Sequence, residues 1–179
     1  MSVTCLVRPC DPDPWTDSSA VVLRPLERGD TGAVLEIFAG LGPRSRQLRF
    51  LAAKPRLTSA DLRQLTAVDH HDHVAILAFS TAEDRPIGVA RFVRESGDPE
   101  SADVAVAVVD DWQGRGIGTM LASGLARRAL EVGVRRFTMV MAPHNEGAVR
   151  LLHRASGEIE RLAIDDEVAE FALTLDRSR

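Results

Sequence analysis

Apolar residues change their period several times along this chain, and each change marks an element. Val21-Val22-Leu23 is a short apolar run that closes at Arg24-Pro25. Proline is tolerated at a strand end and not inside a central strand, so a strand is predicted there. Ala33, Val34, Ile37, Phe38 and Leu41 then recur at helical spacing, with Asp30 placed to cap the helix and Gly40 and Gly42 to end it. A second helical stretch is predicted over residues 45–51. A third opens at Thr58-Ser59-Ala60-Asp61, a capping box with Asp in the Glu position, and carries Leu62 and Leu65.

Past residue 70 strands dominate. Residues 73–80 and 86–93 are near-continuous apolar runs, and Asp84 between them suggests an antiparallel connection. Residues 101–109 form a third run, whose alternating Val and Ala suit burial on both faces. Residues 114–131 read as a long amphipathic helix. Ile117, Leu121, Gly124 and Leu125 line one face, and Gly133 follows as a helix-ending glycine. A strand over 137–141, a helix over 145–155 and strands over 158–164 and 168–175 complete the chain. The unit 101–109, 114–131, 134–142 is a crossover, so its two strands are expected to be parallel. The fold class is α/β: a mixed, mostly antiparallel sheet of about seven strands with helices on both faces.

Composition narrows the partners. The chain has 179 residues, enough for one domain, with 45% hydrophobic and 27% charged residues. Residues 1–19 have no period and are expected to be a flexible tail, leaving residues 20–176 as the domain. A net charge of −4 argues against non-specific nucleic-acid binding, which needs a basic face. No apolar run approaches the ~20 residues of a membrane span, and the start lacks a secretory pattern. The two cysteines, Cys5 and Cys10, make neither a disulfide scaffold nor a zinc spacing. A cytoplasmic protein is expected, and a homodimer stays open.

The residues that carry chemistry follow the strand at 101–109. Gln113-Gly114-Arg115-Gly116-Ile117-Gly118-Thr119 is a glycine-rich turn opening a helix. The first N–H groups of a helix lack internal partners, the helix dipole places partial positive charge there, and glycines let a phosphate approach the backbone. Arg115 adds a cation. A Walker loop would end in Gly-Lys-Ser/Thr, and a dinucleotide fingerprint would space its glycines differently and lie earlier in the chain.

Gln113-x-x-Gly116-x-Gly118 resembles the Arg/Gln-x-x-Gly-x-Gly/Ala motif of the GCN5-related N-acetyltransferase superfamily. The element order from Val21 to Leu175 is similar to that family's, and Asn145 stands where these proteins commonly carry an asparagine. Pro43-Arg44-Ser45-Arg46-Gln47-Leu48-Arg49-Phe50 and Val68-Asp69-His70-His71-Asp72-His73-Val74-Ala75 look like the acetyltransferase domain of bacterial protein-lysine acetyltransferases. The resemblance implies acetyl-CoA as co-substrate, with no metal. Its diphosphate would lie on the amides of Gly114, Gly116, Gly118 and Thr119, beside Gln113, Arg115 and Ile117. Its pantetheine arm would lie along Val106, Ala107 and Val108, with Asn145 also in contact. The acceptor would be an amine, with a protein lysine favoured. Where that family has a catalytic glutamate this chain has Asp103, a shorter carboxylate that could take the amine's proton directly or through water.

Other residues carry weaker expectations. Many family members use a tyrosine as general acid; the matching position is Leu152, and the chain contains no tyrosine. His153 and Ser156 are the nearby alternatives. The cluster His70-His71-Asp72-His73 reads as a loop–strand junction before it reads as a metal site. Arg44, Arg46 and Arg49 read as a solvated helix face, and Trp112 as packing for the turn. With those departures, a small-molecule amine acetyltransferase and a non-catalytic acyl-CoA sensor are the competing readings.

Overall fold

The computed structural model describes residues 20–154, 157–164 and 167–176. The expected tail and Ser156 lie outside them. The elements are β1 (Val21–Pro25), α1 (Thr31–Ala39), α2 (Pro43–Phe50), α3 (Ser59–Leu65), β2 (His73–Ser80), β3 (Arg85–Glu95), β4 (Asp98–Val108), α4 (Ile117–Glu131), β5 (Arg136–Met141), α5 (Glu146–Arg154), β6 (Ile159–Ile164) and β7 (Ala169–Thr174). The strands form one seven-stranded sheet in the order β1-β2-β3-β4-β5-β7-β6. Every pairing is antiparallel except β4–β5, which is parallel as a crossover requires.

Two apolar layers hold helices on opposite faces. On one, Ile117, Leu121, Leu125 and Ala129 of α4 pack on Val74, Ala78, Ile87, Ala90 and Phe92. Leu121 and Leu125 are fully buried, and truncating either to alanine should cost about 2–5 kcal/mol. Gly124 lets α4 lie close: a Cβ there would stand 2.8 Å from Leu23 Cδ1. On the other face Val34 and Ile37 of α1 and Leu62 and Leu65 of α3 cover Ala75, Leu77 and Val89. Pro86 enters β3 opposite a register shift in β2 between Ala78 and Phe79. A bulge is where a strand can lose the N–H that proline lacks.

Local expectations met the structure unevenly. The capping box at Thr58 forms, with both Thr58 and Asp61 side chains bonding backbone N–H groups. Asp30 precedes α1 but makes no capping bond; its carboxylate turns instead to Arg24 at 2.8 Å, which holds its pKa down. The long helix starts at Ile117 and not at 114, because Gly114 and Gly116 adopt φ of 75° and 79°, outside the right-handed helical region.

The decisive feature is how β4 parts from β5. Only Ser101↔Arg136, Ala102↔Phe137 and Asp103↔Thr138 pair. On its other side β4 pairs with β3 as far as Val108↔Gly88. From Val104 onward β4 therefore has one partner. Residues 104–108 are half-buried as a result, not buried on both faces as their composition suggested.

Candidate active site

Backbone alternation determines what the open edge of β4 presents. Val109 N–H donates to Ile87 O at 2.9 Å, so Val109 and, by alternation, Ala107, Ala105 and Asp103 turn their polar backbone groups to β3. Those of Val104, Val106 and Val108 face the gap. Their side chains pack toward α4. The alternation also bears on Ala107: its amide is spent on β3, and only its small side chain faces the opposite layer.

At the end of this edge the chain makes a short 3₁₀ turn, Asp110–Trp112, and then the glycine loop. Asp110 organises it. Its N–H donates to Gly40 O at 3.1 Å, and its carboxylate accepts the Gly42 N–H at 3.0 Å. Gln113 Nε2 lies 3.0 Å from Val108 O, 3.1 Å from Asp110 Oδ1 and 3.3 Å from Ser45 Oγ. Gln113 thus braces the loop against both β4 and α2. Trp112 packs against both apolar layers, and the Arg115 guanidinium lies 4.9 Å from its ring centre.

α4 then begins with no acidic residue in its first turn and no side-chain cap. Among the described residues, no backbone bond uses the N–H of Gly114, Gly116, Ile117, Gly118 or Thr119. A Cβ on Gly114 would meet nothing within 4 Å, so the loop before the helix faces open space there, while one on Gly118 would sit in ordinary contact, 3.9 Å from Val108 and 4.0 Å from Leu151. Asn145 caps the neighbouring helix, its Oδ1 accepting the Ala148 N–H at 3.1 Å, which leaves its amide donors over. Leu152 is buried at 7% exposure and offers no proton, while His153 is exposed.

Asp103 sits where the β4–β5 pairing ends. The residue is exposed, yet enough protein surrounds it that desolvation raises its pKa above 3.8; Arg49 pulls it down, Glu95 pushes it up and Arg91 pulls it down in turn. Glu95 accepts a bond from Thr138 Oγ1 at 2.7 Å. Arg91 is buried at 8% exposure and donates to Leu65 O and Gln64 O at the end of α3 and contacts His73. Burial pushes Arg91 down to about 10, and the same cause lowers His73.

The arginines of α2 depart from expectation. Arg44 is exposed, but Arg46 lies over the Phe38 ring at 4.1 Å with its Nε buried and unbonded. The Arg49 guanidinium turns inward, and desolvation lowers its pKa. The face is only partly solvated: no residue of α2 is fully buried, but Arg46, Arg49 and Phe50 recur at i, i+3 and i+4 and their stems cover apolar surface. That spacing was the signal in the sequence. The histidine cluster disperses: His70 faces Glu27 at 3.3 Å, His71 meets Asp72 at 2.7 Å and His73 meets Arg91. No helix among the described residues is long and apolar enough to cross a membrane.

A strand that loses its neighbour thus lies beside a helix mouth with open amides. The acetyltransferase (GNAT) family model matches residues 44–157. This chain belongs to the GNAT acetyltransferase family. It is 35% identical over 132 residues to acetyltransferase Pat of Mycolicibacterium smegmatis, an alignment covering 74% of this chain and 39% of that protein. The chain thus spans well under half the length of that relative. It is 30% identical over 162 residues to acetyltransferase PA5475 of Pseudomonas aeruginosa, covering 86% and 85% of the two. The GNAT domain of S. lividans PAT superposes with a TM-score of 0.78 at 27% identity, over 86% of this chain and 89% of that one.

Proposed function

We propose that residues 20–176 form a domain that transfers the acetyl group of acetyl-CoA to a primary amine by direct attack, with a protein lysine as acceptor. The observation that carries this reading is the one-sided edge of β4, open from Val104 and ending at the free amides of the glycine loop. A chain of amide groups can bind along such an edge as an added strand does, and a diphosphate suits the helix mouth beyond it. Gly114, Gly116, Ile117, Gly118 and Thr119 would hold the diphosphate through their N–H groups, with Arg115 adding charge. Gln113 would keep the loop in shape. Val106 and Val108 would bond the pantetheine arm, Ala107 would leave room beside it, and Asn145 would use its spare donors.

Bound acetyl-CoA supplies an activated thioester. The protein's part is to deliver a neutral amine and to stabilise negative charge. A lysine amine, with a pKa of about 10.4, arrives protonated. Asp103 takes that proton directly or through one water, and its raised pKa makes it a stronger base than an ordinary aspartate. The Val106 N–H faces the gap and can stabilise charge developing on the carbonyl oxygen. The lysine acceptor is supported by the likeness of α2 and of residues 68–75 to the protein-lysine acetyltransferases.

The test is thiol release with a panel of small amines and lysine peptides. Wild type should turn over, with peptides the better acceptors, and Asp103→Ala should lose about 10²–10⁴-fold in rate while still binding acetyl-CoA. Better turnover of small amines than of any peptide would replace the lysine assignment. Binding without turnover of any amine would favour a sensor, the reading that the buried Leu152 supports by offering no general acid.

A further inference from the structure

Arg49 is the cation that the mechanism above does not use. It lies in the last turn of α2, the helix lying across β4 on the face that carries Asp103, Ala105 and Ala107. The residue is half-buried, enough for desolvation to lower its pKa, and its guanidinium sits 5.1 Å from the Phe50 ring centre. Among the described residues it donates no hydrogen bond. Its neighbour Arg91 has settled partners in Leu65 O, Gln64 O and His73. Asp103 is close enough to influence Arg49 electrostatically but does not bond to it. A half-buried guanidinium with unused donors beside a cavity is placed to accept an anionic partner.

The surroundings set the size of that partner. Arg49, Phe50, Val89, Arg91 and Ala107 line a cavity of about 40 Å³ under α1–α3. That is room for one or two water-sized groups, a carboxylate and not a whole acceptor. Apolar walls strengthen any ion pair formed inside it. α2 is itself braced to the glycine loop through the Ser45–Gln113 contact, so Arg49 is held in register with the donor side.

We infer that Arg49 is a specificity-determining residue that binds a carboxylate carried by the acceptor a few bonds from its amine. The inference rests on the amine-acetylation reading and adds the substrate feature that the site selects. Two sources share this chemistry: an acidic side chain beside the acceptor lysine of a protein, and the carboxylate of a small amino acid. Charge-assisted pairing to a planar fork is the recognition that arginine performs better than lysine.

Calorimetric binding to the CoA-loaded protein tests this without needing turnover. The probes are two matched pairs: lysine against lysinamide, and a lysine peptide with Glu beside the acceptor against the same peptide with Gln. Wild type should bind the acid of at least one pair roughly 10- to 100-fold more tightly than its neutral partner. Whichever pair discriminates identifies the source. Arg49→Gln should abolish the difference, and Arg49→Lys should retain only part of it. Circular dichroism checks the fold of both variants, and thiol release run in parallel reports separately on the acetylation reading. Equal affinities within both pairs for wild type, no detectable binding of either acid, or a preference unchanged in both variants would overturn the assignment.

Discussion

The two sides of β4 are built from different materials. Toward the gap, the strand offers the backbone groups of Val104, Val106 and Val108, and the loop beyond offers unbonded amides. Toward α2, it offers side chains: Asp103, with Arg49, Arg91 and Glu95 acting on its charge. A backbone surface suits a ligand that is always the same. A side-chain surface can change with the acceptor while the sheet stays as it is. The contrast also separates what a substitution can damage, because the two sides meet along one strand and where Asp110 and Gln113 tie the loop to α1 and α2.

The largest effect should come from Gly116→Glu. The position has φ of 79°, and the new carboxylate would face the proposed diphosphate. Affinity for acetyl-CoA, measured by calorimetry, should fall by at least about 100-fold, since backbone strain and like-charge contact each cost a few kcal/mol. Unaltered affinity would break the donor side of the comparison.

Asp103→Asn should damage only the other side. Turnover should drop by about 10²–10⁴-fold with acetyl-CoA affinity unchanged. Its stability effect has a definite sign. The folded carboxyl has a raised pKa, so the protonated form favours the fold; that contribution is present below the unfolded value of about 3.9 and is lost as pH rises through the folded one. At pH 7 the asparagine variant should therefore melt no lower than wild type. A clear drop in Tm would make Asp103 a structural partner of the arginines.

Smaller effects sharpen the boundary. The acid limb of the pH profile of kcat/KM should lie above 3.8, and Arg49→Gln should move it further up, because Arg49 pulls the Asp103 pKa down. A downward shift would contradict the electrostatics. Gly40→Ala would place a Cβ 2.7 Å from Val109 Cγ1, costing about 1–3 kcal/mol and loosening the turn into the glycine loop. Thr58→Ala removes the α3 cap, which is remote from both sides, and should cost only about 1 kcal/mol with acetyl-CoA binding intact. Thermal melts with and without acetyl-CoA distinguish these two.

The same division explains what could be read from residues alone. Gly114, Gly116 and Gly118 between a valine-rich strand and an amphipathic helix announce the donor side, because backbone shape is local and glycine is its local mark. The parallel crossover follows from the order of elements. The acceptor side depends on where long side chains point after folding. Arg46 and Arg49, in a helix with only Leu48 and Phe50 as large apolar residues, read as solvent-facing. They turn inward because Phe38 and Phe50 meet edge to face, 6.0 Å apart, beneath them. Asp110 reads as one of two adjacent aspartates, although its carboxylate ties the loop to Gly42 across 68 residues of chain. Half-burial of residues 104–108 was equally hidden, since composition does not reveal where a neighbouring strand departs.

Amide NMR during titration with CoA reaches the central claim directly. The peaks of Gly116 to Thr119 and of Val104, Val106 and Val108 should move together and most, with Ala105 and Ala107, bonded to β3, moving less. Shifts concentrated elsewhere, such as the cleft lined by Arg28, Gly29 and Arg63, with these amides left in place, would contradict it.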